Sequence, residues 1–243
     1  VTPSVSIVLP VLISHPWQRH LTEAAIKILR DTTQVPFELI VVETESKELE
    51  PESFKVAHDM DHMKYLYSPN RTTLAKDINA GIDAATGDFI GWTGNDIITK
   101  PGWLEALLEC FDRYRDCGIA SLAAQEVGAM LNHAPSDFIT EGWYGPLVLF
   151  RKGWRLDEAY QSLASDNDLI MRLYQAGLRA YRNHKVVVLH LNTQTHDRDG
   201  AAYKKMEESA HALFVQKWGR SPLWPATMIL RGGIAFGREF ERG

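Results

Sequence analysis

The residues of this chain best suited to chemistry are a few carboxylates and imidazoles set beside apolar runs. "FIGWTGNDIITKPGW" (89–103) places Asp96 just after a short apolar stretch, with Trp92, Gly94 and Asn95 beside it. A carboxylate at a strand end suits a hard divalent cation that also grips diphosphate oxygens. The competing reading is a polar turn, because glycine, asparagine and aspartate are all turn residues. "SDND" (165–168) puts Asp166 and Asp168 at the start of a helical pattern. One of them can serve as a general base. Ser165 to Asp168 also fits a capping pattern, and acids in a first turn favour the helix dipole. His190 closes "VVVLH", with His196 further on. Either imidazole can ligate a metal or simply hydrogen-bond within a loop.

The elements that must position these groups follow from periodicity. "SVSIVLPV" (4–11) and "FELIVVE" (37–43) are apolar, β-branched runs that predict buried strands, and "KYLY" (64–67) and "DFIGW" (88–92) predict two more. Leu21, Ala24, Ala25, Ile28 and Leu29 predict a helix over 17–31 with one core face. Leu74, Ile78 and Ile82 predict another over 72–85, capped by Thr72 or Thr73 and stopped by Gly87. Strands alternating with helices predict βαβ units and a mostly parallel sheet. Ligands bind such sheets at the carboxyl ends of the strands. Those ends read as Pro10-Val11, Glu43-Thr44 and Gly94-Asn95-Asp96.

Further on, Pro101 opens a helix over 101–114, a strand is expected over 118–124, and 125–146 reads as loop. Strands follow at 146–151 and 185–190, with helices at 165–177 and 200–218. No repeat, low-complexity segment or sharp domain boundary is visible.

Composition narrows the function classes. The 243 residues suit one large α/β domain, and 45% hydrophobic with 23% charged residues is ordinary for a folded soluble protein. A net charge of -5 and a pI near 6.0 give no basic field for a nucleic-acid backbone. Cys110 and Cys117 have no metal-ligand spacing and read as reduced core residues, which suits a cytoplasmic protein. No apolar run approaches the roughly 20 residues of a membrane span, and no signal peptide is seen. The apolar tail 222–240 leaves three readings open: docking on its own domain, a homodimer contact, or peripheral contact with a membrane surface. The glycine fingerprints of dinucleotide and P-loop enzymes and the serine elbow of α/β hydrolases are all absent.

In their order along the chain, "SIVLPV", "ELIVVETES", "NRTTLAKDINAGIDAATGDFIGW", "TGNDIITKPGWLEAL", "SDNDLIMRL", "VVVLH" and "FVQKWG" resemble the inverting nucleotide-sugar glycosyltransferases of family two. The resemblance spans roughly residues 4–219 and implies a GT-A, Rossmann-like α/β fold in a single domain. It implies a nucleotide-binding half near 1–100, an acceptor and catalytic half over 101–219, and a tail from 220 to 243. By position, Asp166 becomes the general base and Asp96 a ligand of Mn2+ or Mg2+, with His190 as second ligand. Glu43 and Thr44 would face the base or ribose of the nucleotide, and Pro10 and Val11 would line that pocket. Lys76 would reach the nucleotide or its phosphates, and Asn95 the ribose or donor sugar. Glu141, Trp143 and Tyr144 are expected at the acceptor, since sugars pack on aromatic rings and carboxylates bind hydroxyls. The acceptor would be a glycan, a lipid-linked molecule or another hydroxyl compound.

The chain departs from the family pattern in three places. Gly94 stands where the first Asp of Asp-x-Asp is expected, Ser165 replaces the acid before the base, and "PVLISHPWQR" lacks the usual early asparagine. Two other classes therefore stay open: a nucleotide-sugar-binding module without catalysis, and a nucleotidyltransferase.

Overall fold

The computed structural model describes residues 4–13, 15–45, 63–68, 73–127, 134–143, 145–160, 163–191 and 200–221. Nine strands are described: β1 (Val5–Ile13), β2 (Glu38–Glu45), β3 (Met63–Ser68), β4 (Phe89–Thr93), β5 (Ile97–Ile98), β6 (Cys117–Glu126), β7 (Ile139–Glu141), β8 (Leu147–Arg151) and β9 (Arg179–His190). Five helices accompany them: α1 (Pro16–Asp31), α2 (Leu74–Ala84), α3 (Trp103–Arg113), α4 (Ser165–Gln175) and α5 (Ala201–Trp218). The strands form one sheet in the order β3-β2-β1-β4-β8-β6-β9-β5, with β7 beside β9. β3, β2, β1 and β4 run parallel, β8 is antiparallel to both β4 and β6, and β9 is parallel to β6. The expected mostly parallel sheet is therefore present, with β5, β7 and β8 running against it.

Side-chain alternation splits the core into two layers. Val5, Ile7, Leu9, Val11 and Ile13 of β1 point to one face, where Ile26 and Leu29 of α1 and Trp103, Leu104, Leu107 and Phe111 of α3 cover them. Val8, Ile40, Val42, Ile90 and Trp92 point to the other, under Ile78 and Ile82 of α2 and Leu169, Ile170 and Leu173 of α4. A third cluster joins Tyr160, Ala164 and Met171 to Ala210 and Phe214 of α5.

Several local expectations are corrected. Pro10 does not end the first strand: β1 continues to Ile13 and β2 to Glu45. Pro10 is tolerated because the β4 ladder stops at Val8, which leaves β1 with only β2 beside it. On α1 the buried stripe is Gln18, Thr22, Ala25, Ile26 and Leu29, so Ala24 faces solvent. Leu74 is also exposed, and Ala75 takes its place in the core. Thr73 caps α2, whereas Gly87 lies in the turn into β4 rather than at the helix end. Pro101 precedes the N-cap of α3, Gly102. Within the 125–146 stretch read as loop, β7 pairs with β9, and β9 starts well before 185. Short strands at a sheet edge bury few apolar residues and leave little periodic signal. Cys110 and Cys117 are buried free thiols, as expected.

Candidate active site

Register brings the carboxyl ends of β4, β6 and β9 to one edge. β5 pairs Ile97 with His190, so Asp96 is delivered next to that imidazole. His190 Nε2 lies 3.1 Å from Asp96 Oδ2, and its Nδ1 lies 3.6 Å from Glu126 Oε1. Burial alone would pull the His190 pKa down, but Asp96 and Glu126 more than reverse that and raise it. Leu191 N–H bonds the Asp96 carbonyl at 2.9 Å and fixes the backbone of this pair. At Gly94 a Cβ would stand 2.7 Å from Asp96 Oδ1. Any side chain there would require the Asp96 carboxylate to shift.

Asp166 forms the second centre. It sits in the first turn of α4, and burial is the main influence on its carboxyl, raising its pKa. Hydrogen bonds from the Asn167 and Asp166 backbone and from the Trp143 side chain act in the opposite direction. A Cβ on Gly145 would collide with Asp166 Oδ2, so only glycine lets this backbone approach the carboxylate so closely.

One short segment adjoins both centres. Trp92 Nε1 donates to Gly145 O at 2.8 Å, and Gly94 N–H donates to Pro146 O at 2.9 Å. On its other side Gly142 N–H donates to Ala180 O at 2.9 Å, and Arg182 donates to Trp143 O. Gly142, Trp143, Gly145 and Pro146 are thus bound to β9 and to the end of β4, and Trp143 and Gly145 lie against Asp166.

The capping expectation for Ser165 does not hold. Ala164 is the N-cap, in a left-handed conformation (φ 64°), with no side-chain cap bond. Asp168 N–H bonds the Ala164 carbonyl at 2.9 Å, so it is not available to the Ser165 hydroxyl. The Asp168 carboxylate is fully buried and turned elsewhere: Arg172 Nε donates to Oδ2 at 2.8 Å, and Trp218 Nε1 and Lys217 Nζ reach Oδ1 at 3.0 and 2.8 Å.

The other residues named from sequence are placed as follows. Asn95 donates to Thr22 Oγ1 at 2.9 Å. Glu43 is 1% exposed and accepts from the Tyr65 hydroxyl at 2.6 Å. Thr44 is equally buried and donates to Asp77 Oδ1 at 3.0 Å. Val11 is buried, Pro10 is half-buried, and Lys76 is exposed on the first turn of α2. Trp143 is only 9% exposed, and Glu141 accepts from Tyr174 at 2.7 Å. Tyr144 and His196 lie outside the described residues, as do 222–243. The structure therefore joins Asp96 to His190 and Asp166 to Trp143, while Glu43, Thr44 and Glu141 are engaged within the protein. Sequence reasoning assigned no role to Gly145, Trp92 or Glu126. Only Gly145-Pro146 carried a local signal, as a turn pair just before a strand.

Asp96 and His190 are the residues here whose side-chain chemistry suits a divalent ion. Octahedral Mg2+ binds oxygen at about 2.0–2.1 Å, which sets adjacent donors roughly 3 Å apart. The 3.1 Å between Asp96 Oδ2 and His190 Nε2 is a hydrogen bond, which a bound ion would replace. Among the described residues no cluster of three or more His, Cys, Asp or Glu side chains is arranged to hold a metal. No helix among the described residues is long and apolar enough to cross a membrane.

Comparison with known proteins agrees with the fold and the order of these elements. The chain is 26% identical over 197 residues to EpsE of Bacillus subtilis (strain 168), described as a glycosyltransferase, covering 74% of this chain and 69% of that protein. Two solved structures share the fold. One is the mannosyltransferase PcManGT from Pyrobaculum calidifontis, in complex with GDP-Man and Mn2+ (TM-score 0.61, 15% identity, 96% of this chain and 70% of that one). The other is S. aureus TarS 1–349 (TM-score 0.56, 13% identity, 89% of this chain and 74% of that one). Residues 6–164 match the model of glycosyl transferase family 2. With β2 to β8 and nearly all of β1 inside that match, the chain belongs to glycosyltransferase family 2 and is a glycosyltransferase with the GT-A fold.

Proposed function

We propose that the enzyme transfers a sugar from a nucleotide-diphosphate sugar to an acceptor hydroxyl with inversion at the anomeric carbon. Asp166 is the general base and Asp96 with His190 is the metal pair. The observation that carries this reading is the Asp166 carboxylate: it is desolvated, hydrogen-bonded by Trp143, and pressed by Gly145 against the segment that also adjoins Asp96. The PcManGT complex with GDP-Man and Mn2+ supports a nucleotide-sugar donor and a divalent ion.

Asp166 takes the proton of the acceptor hydroxyl as its oxygen attacks the anomeric carbon, and the bond from that carbon to the diphosphate breaks on the opposite face. Burial favours this role, because a carboxylate raised from its usual range accepts a proton more readily. Asp96 and His190 would hold Mn2+ or Mg2+, which when bound offsets the negative charge growing on the leaving diphosphate. Lys76, exposed on the first turn of α2, is assigned to the nucleotide or its phosphates, and Asn95 to the ribose or donor sugar. Pro10, Val11, Glu43 and Thr44 frame the base and ribose side, with Glu43 and Thr44 acting through Tyr65 and Asp77. The acceptor approaches from the 101–219 half beside Glu141, Trp143 and Tyr144.

Asp166→Asn keeps the shape and removes the proton acceptor. Transfer should fall by about 10²–10⁴-fold, while donor affinity, read by thermal shift across UDP-, GDP-, TDP- and CDP-sugars, stays within a factor of about two. Full transfer by this variant overturns the assignment.

A further inference from the structure

We propose that Asp168 is a positioning residue for catalysis, held by the end of the last described helix, and that α5 is thereby a structural part of the catalytic centre. The inference rests on Asp166 being the base. Three observations carry it. Asp168 is fully buried and shares its carboxylate among Arg172, Lys217 and Trp218, three donors at 2.8–3.0 Å. Two of those donors come from the last turn of α5, some fifty residues along the chain. The turn they secure is strained: Ala164, immediately before α4, has φ 64°, and among the described residues no other non-glycine has positive φ.

A left-handed alanine is strained and persists only where its surroundings hold it. Here the surroundings are identifiable. Ala164 is buried with Tyr160, Met171, Ala210 and Phe214, so α5 packs directly over the turn. Ala164 O accepts from Asp168 N–H, which makes Asp168 the residue that closes the first turn of α4. Asp166 lies inside that turn. Lys217 also bonds Asp157 Oδ2 at 2.7 Å, which ties the connection after β8 to the same point. Gly219, in a left-handed conformation (φ 66°), ends the helix directly after Trp218, and its N–H bonds Val215 O at 2.8 Å. Loss of either α5 donor leaves a buried charge with fewer partners, and the turn relaxes toward an ordinary backbone. The base would then swing away from the acceptor without any change at Asp96.

The test uses Trp218→Phe and Lys217→Met, with Asp166→Asn as reference. Transfer is measured with whichever UDP-, GDP-, TDP- or CDP-sugar stabilises the protein, and hydrogen exchange is followed over 163–170 and over 89–98. In both α5 variants kcat should fall by about 10-fold to 10²-fold with donor KM within about twofold, since an ångström of misplacement costs about that much. Exchange over 163–170 should rise while 89–98 stays protected. Unchanged kcat per folded molecule, or unchanged exchange over 163–170, overturns the proposal. An active Asp166→Asn enzyme would instead overturn the base assignment, and the exchange data would still report whether α5 orders the turn.

Discussion

Asp166, the proposed base, is a half-buried carboxylate whose desolvation raises the pH at which it could act. Its pKa is raised in the folded enzyme, so the ionised, proton-accepting form is reached at higher pH than in a free aspartate. The acid limb of kcat/KM should therefore lie above the roughly 3.9 of a free aspartate. The Trp143 side chain donates to Asp166 and holds that pKa down. Trp143→Phe removes the donor, so the limb should move to still higher pH; a limb that stays in place contradicts the hydrogen bond. Trp143→Ala separates support of the base from acceptor binding: the first lowers kcat, the second raises acceptor KM with melting unchanged. Gly145→Ala places a methyl group against Asp166 Oδ2. A drop in kcat of about 10²-fold with donor binding intact is expected from assays at saturating donor.

At the scale of elements, two contacts govern how helices and strands meet. Gly81 faces Val8, and a Cβ there would overlap both Val8 methyls, so α2 lies as close to β1 as backbone allows. Gly81→Ala should cost about 1–3 kcal/mol through overpacking. Adding Val8→Ala should recover part of the loss, which a double-mutant cycle on melting temperature reads directly. Glu38 opens β2 and binds β1, β3 and the turn before β4 together: Lys64 lies 2.6 Å from Oε1, and Ser6 and the Thr86 amide and hydroxyl donate to Oε2. Burial opposes its ionisation, yet these donors hold its pKa down, from 4.5 to about 2. A depressed carboxylate stabilises the fold above its unfolded pKa and loses that contribution as pH falls through its folded pKa. Glu38→Gln should accordingly melt lower than the parent at neutral pH, with the gap closing between about pH 4.5 and pH 2.

For the whole molecule, the sheet gathers both centres at one edge, but the proposed metal pair has a single carboxylate beside one imidazole. Cation affinity should then depend on the donor. Mn2+ alone should shift melting little, whereas Mn2+ with a nucleotide-diphosphate sugar should stabilise by about 2.7 kcal/mol when ligand stands at 100 times its Kd. Tight Mn2+ binding by the free protein, measured by calorimetry, contradicts a one-carboxylate site. Asp96→Asn should abolish the Mn2+-dependent part of the shift and leave the nucleotide-only part.

Local pattern was enough to locate β1, β2, β3, β4 and β8, the five helices and the run of motifs from "SIVLPV" to "FVQKWG", because alternation and helical spacing are properties of neighbouring residues. It also singled out Asp96, the pair Asp166 and Asp168, and His190, whose chemistry is carried by residue type, while only the family resemblance picked Asp166 as the base. What it could not contain is which groups share a buried environment. The pairing of Asp96 with His190 depends on the register of β5 against β9. The approach of Gly145 to Asp166 depends on Trp92 holding a distant carbonyl. Asp168 read as a helix-capping acid, and the third dimension made it the anchor of α5 instead. A buried carboxylate goes to the strongest donors that packing brings within reach, and those donors lie far along the chain.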